Sequence, residues 1–188
     1  MPRTPLIDPA SAVGMARTLI ERDGIEALSL AKLAQQIGVK APSLYNHFES
    51  KAALLRGVSE AGWLELSQIM QSAGETSGGD AVERLVRTAL VWLEFALRNP
   101  NLYRLMNDTT DPEARPSEEF LLSIALTYQA MITPLTGEAD SLTALRGLLA
   151  LMHGYATLML TEQFRRGGDL NQAYQDAVRA YLRGWVTR

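Results

Sequence analysis

Between positions 29 and 51 the chain gathers Ser29, Lys40, Ser43, Tyr45, Asn46, His47 and Lys51, its densest set of flexible hydrogen-bonding groups. Hydroxyl, phenol, carboxamide, imidazole and ammonium groups so arranged can donate to phosphate oxygens and meet the polar edges of bases. They are poorly arranged for catalysis. The two histidines, His47 and His153, lie more than a hundred positions apart, and neither has a carboxylate cluster beside it. The chain has no phosphate-cradling glycine motif, no GxSxG and no HExxH. It has no cysteine either, which removes disulfides, thiol catalysis and thiolate metal sites. We therefore expect no catalytic residues, no metal ligands and no cofactor.

Short helices must hold those polar groups in place. The first helix is predicted to start after Asp8 as N-cap, with Pro9 at the first helical position, and to close at Gly24. A second follows Ser29, with Leu30, Leu33, Ala34 and Ile37 on one face, and ends at Gly38. Pro42 opens a short helix through Phe48, and Ser50 caps a long one reaching about Ser72. Residues 29–48, SLAKLAQQIGVKAPSLYNHF, thus supply what a helix-turn-helix needs. Ala34 is small at the crossing, Gly38 tolerates the turn, and Leu33, Ile37, Val39, Leu44 and Phe48 anchor the pair. Leu44 and Phe48 share one face with Ala41, so Pro42, Ser43, Tyr45, Asn46 and His47 project elsewhere. The same spacing also fits a solvated surface helix that binds nothing.

The stretch GIEALSLAKLAQQIGVKAPSLYNHFESKAALL, residues 24–55, closely resembles the DNA-binding domain of the tetracycline repressor (TetR) family. The likeness rests on the Ala–Gln after Lys32–Leu33, the Gly–Val turn, and Pro–Ser–Leu–Tyr–x–His followed by Lys51. Including the first helix, it covers about residues 6–66. The resemblance implies that Tyr45 and His47 contact the sugar-phosphate backbone, that Lys51 pairs with a phosphate, and that Ser29 sits near one. It also implies that Lys40, Ala41, Pro42, Ser43 and Asn46 face the groove. Two departures stand out: Leu30–Ala31 replace a hydroxyl and an arginine that touch DNA in some members, and Lys40 replaces a serine cap.

Charge is divided along the chain. Net charge is -3, yet residues 1–56 carry seven Lys or Arg against five Asp or Glu, and the rest is net acidic. A basic end and an acidic body fit one end facing phosphates. Hydrophobic residues make up 47% and charged ones 21%, the profile of a packed chain. No apolar run approaches a membrane span, and the N-terminus has no signal core, so a cytoplasmic protein is expected.

Beyond a polar, glycine-rich break at 74–80, helices are expected over 81–98, through Met106, over 117–135, 142–166 and 170–186, with a loop at 108–116. The expected fold is all-α with about nine helices. A three-helix helix-turn-helix domain (6–66) would precede a helical-bundle domain (67–188) for ligand binding and dimerisation. Residues 142–166 are apolar on two stripes, so the second side calls for a partner chain or for a central place in a monomer. The expected dimer residues are Leu145, Leu148, Leu149, Met152, Ala156, Met159, Tyr174, Val178, Tyr181 and Trp185. The run 152–155, Met-His-Gly-Tyr, with Leu158 and Phe164, is similar to the His-Gly (WHG-type) subgroup of TetR C-terminal domains.

Large side chains on the middle helices are candidates for a ligand site: Trp63, Leu66, Met70, Trp92, Phe95, Tyr103, Met106, Phe120, Ile124 and Tyr128. The same types fill ordinary cores. His153 and Tyr155 fit a ligand contact and a core or interface position equally well. Few charges fall among these residues, so the expected effector is small and apolar or aromatic. The function that follows is a homodimeric DNA-binding transcriptional regulator, a repressor released from operator DNA by a small molecule. The alternative is a helical interaction or ligand-binding module of the same fold that does not bind DNA.

Overall fold

The computed structural model describes residues 8–76, 79–107 and 110–186. Among them are nine α-helices, one 3-10 turn (Ile25–Ala27) and no strand. The helices are α1 (Pro9–Asp23), α2 (Leu30–Ile37), α3 (Ala41–Tyr45), α4 (Lys51–Thr76) and α5 (Ala81–Arg98), followed by α6 (Pro100–Asn107), α7 (Glu118–Thr136), α8 (Glu138–Leu160) and α9 (Leu170–Val186). No single described helix is long and apolar enough to cross a membrane.

The described residues fall into two compact units, one within 1–63 and 99–120, the other within 64–98 and 121–188. This differs from an uninterrupted division near position 66, because α6 and the segment after it belong with the N-terminal helices. The reason lies in Glu21 of α1. Its carboxylate accepts from the Leu102 amide at the start of α6, and its carbonyl accepts from Asn101. Arg17 adds a hydrogen bond to Asn99 at 3.1 Å.

Several helix ends differ from the sequence expectation. Helix α3 stops at Tyr45 rather than Phe48: the amides of His47 and Phe48 both turn back onto the Leu44 carbonyl, and Ser50 then caps α4 by accepting from Ala53. Helix α4 continues to Thr76, through part of the stretch expected to be a break. Gly74 there costs about 1 kcal/mol of helix propensity, and a Cβ at this position would meet the Thr88 hydroxyl at 3.4 Å, an ordinary contact distance. Residues 77–78 and 108–109 lie outside the described set. Helix α8 occupies 138–160, not 142–166. Glu138 and Asp140 favour its first turn, and Glu162, with φ of 53°, closes it.

In the second unit, α5 packs against α8 and α9, and α8 against α9. Trp92, Leu93 and Ala96 on α5 are buried, as are Met152, Ala156, Tyr174 and Val178. The buried Tyr174 hydroxyl donates to the Ala89 carbonyl at 2.9 Å. Arg179 grips Glu83 with two hydrogen bonds, at 2.7 and 3.1 Å. This pair holds the Glu83 carboxyl below its usual range. Where α8 and α9 approach, a Cβ on Gly147 would collide with the Tyr181 phenol, whose hydroxyl donates to the Ala144 carbonyl.

Candidate functional site

The first unit builds a short exposed helix on a pinned base. Ser29 accepts from the Lys32 amide and starts α2; Gly38 ends it in the left-handed region at φ 80°, ψ 28°. The Val39 amide reaches the Ala34 carbonyl and the Gly38 amide reaches Gln35, a paired cap in which only glycine avoids a Cβ penalty. Ala34 is buried where α2 meets α3. Helix α3 begins at Ala41 with Pro42 in its first turn, and Lys40 gives no side-chain cap, as the missing serine led us to expect.

Leu44 and Phe48 turn inward, at 0% and 8% exposure. Tyr45 is 54% exposed, and Pro42, Asn46 and His47 are exposed with it. Ser43, Ala41 and Lys51 are half-buried, while Ser29 and Lys40 are exposed. All nine expected contact residues thus keep accessible surface in the first unit. Asn46 and His47 sit in the turn after the helix rather than on it. Leu30 is buried, so that position offers DNA no side chain; Ala31 is exposed. Beneath the head, Arg22 and Lys32 both grip Asp23, at 2.8 and 3.1 Å, and hold its carboxyl well below the usual range. Lys32 therefore has a carboxylate partner already.

The residues expected at a dimer contact fall into two groups. Leu145, Leu148, Met152, Ala156, Tyr174 and Val178 are buried within their own chain, each at 6% exposure or less. A side chain already packed in one core cannot also cover a second copy. Leu149, Met159, Tyr181 and Trp185 are half-buried. The exposed positions of α8 and α9 include small residues, Ala150, Gly154 and Thr157 on one and Ala173, Ala180 and Gly184 on the other, beside Leu142, Arg146, Asp176 and Arg183.

The ligand candidates also scatter. Leu66, Trp92, Phe95 and Ile124 are core residues of the second unit. Trp63, Tyr103, Met106 and Phe120 belong to the first unit. Tyr155 donates to the Leu170 carbonyl at 3.1 Å and its ring meets Phe164 and Tyr174, so it fastens the α8–α9 connection. His153 lies edge-on to Trp92 at 5.1 Å, and burial lowers its pKa. Tyr128, hydrogen-bonded by Ser67, is pushed up to about 12 by burial.

What the second unit does contain is a cavity of about 520 Å³ among the end of α4, the start of α5 and the end of α7. Of the candidates, only Met70 lines it. Its other walls are Leu85, Met131, Pro134 and Leu135, with the polar Gln71, Glu75, Arg84 and Thr88. A smaller void of about 20 Å³ shares Met70, Leu85, Thr88 and Met131 and reaches Tyr128 and Met152. Looking for aromatics missed this lining. The available signal was the clustering of Gly74 and Pro134 near helix ends beside methionines.

Residues 14–58 match the bacterial regulatory proteins of the tetR family, and residues 85–181 match the tetracyclin repressor-like C-terminal domain. The chain belongs to the TetR family. As such it is a DNA-binding transcriptional regulator. It is 27% identical over 173 residues to the uncharacterised HTH-type transcriptional regulator YobS of Bacillus subtilis, covering 92% of this chain and 89% of that protein. To the nucleoid occlusion factor SlmA of Vibrio vulnificus it is 38% identical over 96 residues, spanning about half of each chain. The fold of this TetR-family regulator matches a protein of unknown function from Rhodococcus with a TM-score of 0.80, at 24% identity and 95% coverage of both chains. It also matches a TetR variant from Acinetobacter baumannii in complex with minocycline, with a TM-score of 0.69, 22% identity, and coverage of 95% and 96%.

Proposed function

We propose that this regulator is a cytoplasmic homodimeric repressor that lets go of its operator when a small molecule fills the cavity of the second unit. The observation that carries the DNA half is the orientation of α3 and its following turn, with Leu44 and Phe48 inward and Tyr45, Asn46 and His47 outward. A helix so short enters a major groove about 12 Å wide with its polar side toward the bases. Tyr45, His47, Lys51 and Ser29 seat it on the backbone; Lys40, Ala41, Pro42, Ser43 and Asn46 meet the groove.

Two such heads must stand about 34–36 Å apart to enter successive grooves. We assign the dimer contact to the outward small-residue faces of α8 and α9, where Ala150, Gly154, Ala180 and Gly184 let two copies approach closely. The effector half rests on the cavity together with the continuity of α4. Lys51 and the buried Leu54 and Val58 stand at one end of this helix, Met70 and Glu75 at the other. A ligand held at the far end acts on the rod that carries the reading head. It shifts the population only as far as it prefers the DNA-incompetent form, typically by about 1–3 kcal/mol. Binding, not catalysis, is the whole activity.

The test is selection of bound fragments from sheared genomic DNA by the purified protein, followed by anisotropy titration across salt. A sequence-specific site, whose affinity falls steeply with salt, supports the reading. Uniform weak binding to all fragments refutes it.

A further inference from the structure

We propose that the cavity of the second unit takes a monoanionic apolar carboxylate, its charged end held by Arg84 and its body lying against Met70, Leu85 and Met131. The inference deepens the effector reading above by giving the ligand a chemical class. A volume of about 520 Å³ falls within the range of small-molecule sites, roughly 300–1,000 Å³.

Arg84 decides the chemistry. Its Nη1 donates to the Gly79 carbonyl at 2.8 Å, which fixes the half-buried guanidinium at the cavity wall. Among the described residues no carboxylate pairs with it, because the nearest acidic neighbours in sequence are engaged elsewhere. Glu83 is held by Arg179, and Asp80 accepts from the Glu83 amide to cap α5. A planar fork with donors to spare suits a bidentate carboxylate better than any neutral group.

Glu75 also lines the cavity, and it is exposed. Its charge disfavours a second negative charge on the ligand, which selects a monoanion over a phosphate ester. It would favour an amine, so the balance between Arg84 and Glu75 is the point on which the inference turns. Arg84 wins on burial: a charge partly removed from water is less screened than one at the surface.

The apolar end has room to lengthen. Met70 and Met131 border both the cavity and the small void behind it. Methionine side chains re-pack readily, so an alkyl or aryl tail can part them and advance toward Tyr128.

Calorimetric titration of the full-length protein with decanoate, decanol and decylamine tests the assignment. Decanoate should bind about tenfold or more tighter than either uncharged or cationic analogue, as expected for one charge-assisted contact. Arg84→Gln should erase that preference and Arg84→Lys retain part of it. Met131→Trp, which narrows the apolar end of the cavity and leaves Arg84 in place, should weaken binding of all three alike. Equal or tighter binding of decanol or decylamine, no decanoate binding at all, unchanged preference in Arg84→Gln, or a decanoate affinity that Met131→Trp leaves unchanged overturns it. Operator binding of the unliganded protein is measured separately. Its loss would refute the regulator reading while the carboxylate titration stands on its own.

Discussion

Helix α3 and helix α8 both present a surface outward, but the surfaces are of opposite kinds. On α3 and the turn after it, two buried anchors pin a thin element whose free side is polar and protruding: Tyr45, Asn46 and His47. On α8 the buried side is long and apolar, and beyond the exposed Leu142 and Arg146 the free side carries the small residues Ala150, Gly154 and Thr157 in line. A nucleic acid demands groups that reach into a groove and replace water at phosphates. A second copy of the same helices is better met by low relief, since close packing between backbones replaces reach. If the proposed dimer contact holds, the difference teaches that outward shape, more than outward apolar character, marks the interfaces here.

That contrast can be broken at several points. The largest effect is expected from Met152→Ala, at 1% exposure on the inner side of α8. It should cost about 2–5 kcal/mol in denaturant unfolding without changing the dimerisation constant of the folded protein. A change in dimerisation with unaltered stability would restore Met152 to the interface. Next, Gly147→Ala should cost about 1–3 kcal/mol, because its Cβ must displace the Tyr181 phenol from the Ala144 carbonyl. Full stability in that variant would mean that α8 and α9 are not so close. Ala150→Arg, on the outer face, should leave helix content by circular dichroism intact and yield monomers in sedimentation. A stable dimer would move the contact off α8.

The smallest effect concerns His153. Burial favours its neutral form, so as pH falls through about 6.5 the unfolded chain takes up a proton that the folded one resists. Stability should therefore decline from neutral pH toward pH 5, and His153→Phe should flatten the slope. An identical slope in the variant would show the ring to be well solvated.

Legibility in the sequence followed the range of the physics. Asp8, Ser29 and Ser50 accept from amides three residues on, Gly38 donates its own amide back to the end of α2, and each caps the helix it was expected to cap. The outward turn of Tyr45 followed because Leu44 and Phe48 left it no other side. Boundaries set by longer-range events were not visible. Helix α4 runs through Gly74 to Thr76, and α8 ends early where Glu162 adopts a left-handed conformation. Two apolar stripes on one helix could not say which was core, since burial against α5 and burial against a partner leave the same pattern. The cavity was hardest to foresee. It is defined by missing volume between three helix ends, and its polar lining, Gln71, Glu75, Arg84 and Thr88, reads in sequence as ordinary surface.

The central claim is that Pro42, Ser43, Tyr45, Asn46 and His47 form the face that meets DNA. Anisotropy titration of a selected operator duplex with the wild type and Tyr45→Ala, at matched salt and with dimer content verified, tests it most directly. The account predicts an affinity loss on the order of tenfold or more with folding and dimerisation unchanged. Wild-type affinity and salt dependence in that variant would contradict it.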